Sequence, residues 1–230
     1  MASPTQKFHH WVIGDVHGCA RSLQALIARL PIQDRIVLCG DLINRGPEIE
    51  RSMQLGWSLV CSGRAVWLRG NHEQRLLCAL ERGGGLANSE LAGSDTFRQL
   101  GSRQCALWIS RLAGLPRAHW GDGWVATHAG FDPLTWAPDL GIRSRFWEAY
   151  DGRYGTVIIG HTPQPEVKRL DNAIVMVDTG ACYGGRLTAY CPETGASLSV
   201  PGSEQSERNE LAAFDPNADR RGRLLASGRC

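Results

Sequence analysis

The chain has 230 residues, 43% hydrophobic and 21% charged, enough apolar content for a packed core and too much for wholesale disorder. Its 25 Lys and Arg against 23 Asp and Glu leave a formal charge of +2, which argues against a dedicated binder of nucleic acid or of an anionic membrane surface. Apolar runs such as 157–160 fall far short of the ~20 residues of a membrane span, and residues 1–10 carry no apolar signal core, so a cytoplasmic protein is expected.

Residues 11–13 form an apolar run ending in Gly14-Asp15 and read as a strand. Leu23, Leu26, Ile27 and Leu30 recur at helical spacing, which predicts a helix over 20–30. A second strand over 35–39 ends in Gly40-Asp41 and precedes a helix over 48–60. A third over 65–69 ends in Gly70-Asn71 and precedes a helix over 73–81 that stops at Gly83-Gly84-Gly85. Strand, polar loop and helix thus recur three times, the signature of βαβ units and a largely parallel sheet. Residues 86–115 carry a weaker helical signal, including 105–112. The second half is richer in strands, at 123–127, 156–159, 173–177 and 186–191, with a loop-rich segment over 131–151. From Pro201 the composition turns polar, so residues 1–200 are expected to form the domain and 201–230 a frayed tail. Eight cysteines (Cys19, Cys39, Cys61, Cys78, Cys105, Cys182, Cys191 and Cys230) lie scattered with no C-x-x-C pair, which reads as reduced thiols rather than a disulfide framework or zinc site.

The three early strands end in one kind of object, a glycine followed by polar side chains: Gly14-Asp15-Val16-His17-Gly18, Gly40-Asp41-Leu42-Ile43-Asn44-Arg45-Gly46 and Gly70-Asn71-His72-Glu73. Two later strands end in Thr127-His128-Ala129-Gly130 and Gly160-His161-Thr162. Ligands collect beyond the carboxyl ends of parallel strands, so the five loops can converge. Asp15, His17, Asp41, Asn71, His128 and His161 make a mixed carboxylate, amide and imidazole set suited to manganese, iron or zinc. Six donors exceed what one ion with open positions takes, whereas two ions sharing Asp41 fit. Such a site keeps positive charge, and with Arg45 as a forked donor it suits a phosphoryl dianion. His72, left out of the ligand count, is then the candidate general acid.

These blocks resemble the signatures of the calcineurin-like metallophosphoesterases, in particular the phosphoprotein phosphatase (serine/threonine phosphatase) family of bacterial and phage type: GD-x-HG, GD-x-x-D-R-G, GNHE, H-A/G-G and GH-T, in that order from about Trp11 to Tyr190. The resemblance implies a mixed α/β fold, a central β-sandwich flanked by helices, in place of a doubly wound sheet, with the second-half strands forming the partner sheet. It implies two divalent ions, manganese first, with iron, zinc, nickel or cobalt as alternatives. Asp15, His17 and Asp41 would hold one ion and Asp41, Asn71, His128 and His161 the other. Water activated by the ions would attack a phosphate ester directly. His72 would be the acid and Arg45 a phosphate clamp, with Arg143 or Arg145 as a second clamp and Tyr183 an aromatic near the metals. The family has Asp where this chain has Asn44, an amide that can accept a hydrogen bond from His72 yet brings no charge to stabilise imidazolium.

A lone Gly-Asp turn is commonplace, so the reading rests on five blocks in order. His9, His10 and His119 belong to no block, Glu73 reads as a supporting or helix-start residue, and Trp57, Trp67, Trp108, Trp120 and Trp124 read as packing. Trp136 and Trp147, near the site, are candidates for substrate contact. The expected substrate is a phosphoprotein or small phosphate ester, with neither nucleic acid nor membrane as partner and the oligomeric state open. A symmetrical diadenosine tetraphosphate hydrolase is the rival enzyme. It shares Arg45-Gly46-Pro47, His128-Ala129-Gly130 and Asp178-Thr179-Gly180, but differs at GNHE and GHT, and the 33 positions from His128 to His161 leave little room for its cap. A metal-bound but catalytically silent binding module is the alternative outside the enzymes.

Overall fold

The computed structural model describes residues 8–82 and 89–203. The expected helix stop at Gly83-Gly84-Gly85 and nearly all of the expected tail lie outside the described residues. Strands β1 (His10–Ile13), β2 (Arg35–Leu38) and β3 (Ala65–Trp67) run parallel, as the βαβ reading requires. The connecting helices are α1 (Ala20–Ile27) and α2 (Ile49–Cys61), and α3 (Asn71–Arg82) follows β3. Each turns an apolar stripe inward: Ala20, Leu23 and Leu26 on α1, and Ile49, Met53, Gly56 and Leu59 on α2, are buried.

The next helix, α4 (Asp95–Ala113), is broken at Gly101, which sits at φ 75° and ψ 169°. That break accounts for the weak helical signal, because the apolar positions on its two sides do not form one stripe. Beyond it come β4 (Ala118–Trp120), β5 (Trp124–Thr127), β6 (Gly130–Phe131), β7 (Pro138–Asp139), α5 (Ser144–Ala149), β8 (Thr156–Ile159), β9 (Lys168–Leu170) and β10 (Ile174–Met176). A 3₁₀ turn at Ala181–Tyr183 leads to β11 (Arg186–Tyr190) and β12 (Ser197–Pro201). The segment expected to be loop-rich, 131–151, therefore contains half of a short hairpin (β6–β7) and a helical turn, and β4, β9 and β12 are strands that the sequence reading missed.

The strands form two five-stranded mixed sheets, ordered β12-β11-β1-β2-β3 and β4-β5-β8-β10-β9. The expectation that the second-half strands make up the partner sheet is corrected at one edge. β11 pairs antiparallel with β1, and β12 with β11, so the chain returns to close the open edge of the first sheet. Val12, Val37 and Tyr190 from the first sheet pack with Trp124, Ala126, Ile158 and Val175 from the second, which makes the sandwich core. The outer face of the first sheet is covered by α1, α2 and α4, and that of the second by Phe131, Phe146 and Tyr150. Among the described residues no helix is long and apolar enough to cross a membrane.

Register delivers the loops together. Ile13, Leu38 and Trp67 are level across the first sheet, so Asp15, Asp41 and Asn71 leave from one edge. Thr127, Ile159 and Met176 are level across the second, so His128, His161 and Asp178 leave from one edge there. The crowding at this junction needs glycine. A Cβ on Gly70 would overlap the Asp41 carboxylate and crowd the Asp41 backbone nitrogen. Gly70→Ala is expected to cost about 1–3 kcal/mol, read as a lower urea midpoint at unchanged m.

Candidate metal centre

The hub is Asp41. Its carboxylate is 2% exposed, and Oδ2 lies 3.7 Å from His17 Nε2, 3.5 Å from His128 Nε2 and 3.9 Å from His72 Nε2. Oδ1 accepts the His72 backbone N–H at 2.9 Å. On one side stand His17 and Asp15, with Asp15 Oδ2 3.9 Å from His17 Nε2. On the other side the Asn71 amide oxygen is 2.9 Å from His128 Nε2 and 3.2 Å from His161 Nδ1. All six ligand candidates from the sequence thus meet around one carboxylate. Among the described residues, Asp41, His128 and His161 form one group with potential donor atoms close enough for a single ion, and His17, Asp41 and His72 form another.

Two imidazoles have tautomers set by backbone carbonyls. His17 Nδ1–H donates to Ile43 O at 2.8 Å and His128 Nδ1–H to Cys39 O at 2.9 Å, so each presents a bare Nε2 toward Asp41. Burial holds both below the ordinary histidine range, which keeps them neutral and able to ligate. The carboxylates face the opposite problem. Burial, with Asp178 and Asp41 nearby, pushes Asp15 up, and burial pushes Asp41 up to about 7. Buried like charges of this kind require cations, and the donor set suits divalent ions. The strained backbone agrees: His17, Asp41, Asn44, Arg45 and His161 all sit at positive φ, between 44° and 71°.

His72 is close enough to complete the group of His17 and Asp41, yet the surroundings make it a donor. The Asn44 side chain meets it through nitrogen: Asn44 Nδ2 lies 2.8 Å from His72 Nδ1. The amide cannot turn around, because Asn44 Oδ1 already accepts the Thr96 N–H at 2.9 Å, the Thr96 hydroxyl at 2.8 Å and the Ser94 hydroxyl at 3.0 Å. This corrects the expectation that Asn44 accepts from the imidazole. Nδ1 accepts instead, at a contact shorter than the 3.4 Å between the donor-only Arg45 Nη2 and Nε2, so Nε2 carries the hydrogen and is not free to hold an ion beside His17 and Asp41. Burial, then the Arg45 guanidinium 3.4 Å from Nε2, brings His72 down to about 3.

Arg45 leans over the Tyr183 ring, 5.1 Å from its centroid, and its backbone N–H donates to Asp95 at 2.9 Å. Tyr183, 43% exposed, therefore meets Arg45 rather than the ligand cluster. Of the two later arginines, the structure brings Arg143 to the centre, with Nε 3.4 Å from His161 Nε2, whereas Arg145 pairs with Asp132 at 3.5 Å. Trp136 and Trp147 pack against the outer core of the second sheet, and Trp120, expected to be packing, is 54% exposed.

The supporting role expected of Glu73 takes a definite form, and two further supports escaped the sequence reading. Glu73 is fully buried and its carboxylate accepts the backbone N–H groups of Asp41, Leu42 and Gly70 at 2.8–2.9 Å, tying the second and third loops together. Only its position after His72 hinted at this. Ser94, Asp95 and Thr96 at the start of α4 hold the Asn44-Arg45 turn, with Thr96 Oγ1 also accepting the Asn44 N–H at 3.0 Å. No spacing rule pointed to them. Asp178, buried and pushed up to about 6 by that burial, adds negative charge behind Asp15.

A divalent ion must displace the protons that burial keeps on Asp15 and Asp41, while the buried imidazoles are already neutral. Metal affinity should therefore rise as pH passes up through about 7, by about tenfold per pH unit for each proton displaced. Titrating the metal-free protein with manganese in weak buffer should release more protons per ion bound at pH 6 than at pH 8.

The sequence model of the calcineurin-like phosphoesterases matches residues 8–192. Serine/threonine-protein phosphatase 1 of Salmonella typhimurium is 32% identical over 216 residues, which cover 78% of this chain and 90% of that protein. The symmetrical bis(5'-nucleosyl)-tetraphosphatase of Ralstonia nicotianae is also 32% identical, over 60% of this chain but only 50% of its own length. A solved structure described as a putative diadenosine tetraphosphatase superposes with a TM-score of 0.64 at 22% identity, covering 88% of this chain and 97% of that one, and this likeness speaks for the fold alone. With the match spanning most of its length, the chain belongs to the calcineurin-like phosphoesterase family and is a metal-dependent phosphoester hydrolase.

Proposed function

We propose that this chain is a dinuclear phosphomonoesterase of the serine/threonine protein phosphatase kind. Asp15, His17 and Asp41 are the ligands of one ion, and Asp41, Asn71, His128 and His161 those of the second. Two divalent ions, manganese first among candidates, would supply Lewis acidity and an acidified water. The chain's own groups do the rest. Arg45 stands at His72 and Arg143 at His161, and the two form the clamp for a terminal phosphoryl dianion. The placement of these two guanidiniums beside the ligand cluster is the observation that carries the reading, and the match to a protein phosphatase over 78% of this chain supports it. His72 points its Nε2–H into the same space and orients the leaving oxygen. A cytoplasmic setting belongs to this proposal, supported by cysteines that form no disulfide with one another among the described residues.

One observation favours a second reading, hydrolysis of a dinucleoside polyphosphate. With Asn44 donating to Nδ1, His72 is a weak acid, and the site is better matched to leaving groups that depart without a proton, as phosphoanhydrides and aryl phosphates do. Parallel kcat/KM values for a phosphoserine peptide, p-nitrophenyl phosphate and diadenosine tetraphosphate decide between them. The first reading expects the phosphopeptide to exceed diadenosine tetraphosphate, the reverse order supports the second, and no turnover of any of them sinks both.

Asn44→Asp fits the same network, one oxygen taking the Ser94 and Thr96 donors and the other facing a protonated Nδ1. It is expected to raise kcat on phosphoserine by about tenfold or more, with a smaller gain on p-nitrophenyl phosphate. The check is the slope of log kcat against leaving-group pKa, which should flatten in the variant.

A further inference from the structure

A cleft of about 520 Å³ opens beside Asn71. One wall is the first turn of α3, with Gln74 and Arg75, together with Arg117 from the loop entering β4. The other is Asp132 and residues 137–141, which include β7. Its volume lies within the range of sites that take organic ligands. Asn71 and Arg75 are four residues apart on one helix, so they share a face, and the cleft runs from the proposed second ion toward Arg75.

The charges in the cleft are unequally employed. Asp132 Oδ1 accepts the N–H groups of Leu134 and Thr135, and its other oxygen faces Arg145. Asp139 accepts the Gly141 N–H at 2.8 Å. Gln74 accepts from Arg69 at 3.0 Å and from Arg117 at 3.4 Å. Arg75 is exposed and, among the described residues, makes no hydrogen bond or ion pair. A guanidinium beside a centre built for two dications adds only repulsion to the resting protein, and it becomes favourable when an anion arrives.

Resting on the protein phosphatase reading, we infer that this cleft receives the peptide flanking the phosphorylated side chain, and that Arg75, seconded by Arg117, pairs there with an acidic residue of the substrate. A single carboxylate suits the cleft better than a run of phosphates does, because Asp132 and Asp139 on the far wall would repel a polyphosphate chain. The preference is electrostatic at an exposed arginine, so it weakens with salt.

The test uses the full-length manganese-loaded protein and phosphoserine peptides of equal length whose flanking residues are aspartate, asparagine or lysine, with tripolyphosphate as a further substrate. The acidic peptide should exceed the neutral one in kcat/KM by about tenfold at low salt, and the ratio should fall toward one in a double variant, Arg75→Gln with Arg117→Gln. Arg75→Glu should invert the order in favour of the lysine peptide, a gain that misfolding cannot imitate. Acidic and neutral peptides hydrolysed alike by the unmodified protein would overturn the inference and leave the phosphatase reading standing. No turnover of any phosphopeptide, with p-nitrophenyl phosphate still hydrolysed, would remove that reading and this inference with it. Loss confined to tripolyphosphate in the variants would reassign the cleft to a polyphosphate and reject the peptide.

Discussion

The Asp41 carboxylate, buried and ringed by three imidazoles at 3.5–3.9 Å, is the constraint around which the rest is arranged. A buried anion beside Asp15 and near Asp178 is unfavourable on its own. The surroundings relieve this in one way and sharpen it in another. Backbone N–H groups tie Asp41 and its neighbours to Glu73 and His72 to Asp41, which fixes the loops, and two imidazoles turn bare nitrogens toward the same carboxylate. What is left is a set of lone pairs converging from two sheets, and divalent cations supply the missing positive charge.

The positive side of the site is built outside the sheets. Arg45 is presented by a turn in left-handed backbone, held by Asp95 and braced on Tyr183. The same turn carries Asn44, whose amide is locked by Ser94 and Thr96 so that nitrogen meets His72. The start of α4 thus sets both the reach of the arginine and the hydrogen-bonding role of the histidine. A single carboxamide in place of a carboxylate reverses the direction of one hydrogen bond to His72. That hydrogen bond is where this chain departs from the pattern it resembles.

Much of the site was legible in the chain because its residues lie in short blocks at strand ends, where local sequence carries both the turn and the ligand. The three βα units were legible for the same reason, since apolar runs of strand length alternate with helical stripes. The return of β11 to pair with β1 was not, because pairing across so long a separation leaves no local mark. Nor was the clamp from Ser94, Asp95 and Thr96, which are ordinary helix-start residues until the fold sets them against Asn44. Arg143 and Arg145 look equivalent two positions apart, and only the entry into α5 separates them, aiming one at His161 and the other at Asp132.

By itself the sequence determined the family, the types of candidate ligand and their order, because glycine-flanked acids, amides and imidazoles at strand ends are read from neighbours in the chain. The tertiary structure decided which atoms face each other: which arginine reaches the centre, which end of the Asn44 amide meets His72, and which arginine lies exposed along a cleft. Those choices depend on packing between segments far apart in the chain, and distance along the chain does not encode the direction of a hydrogen bond.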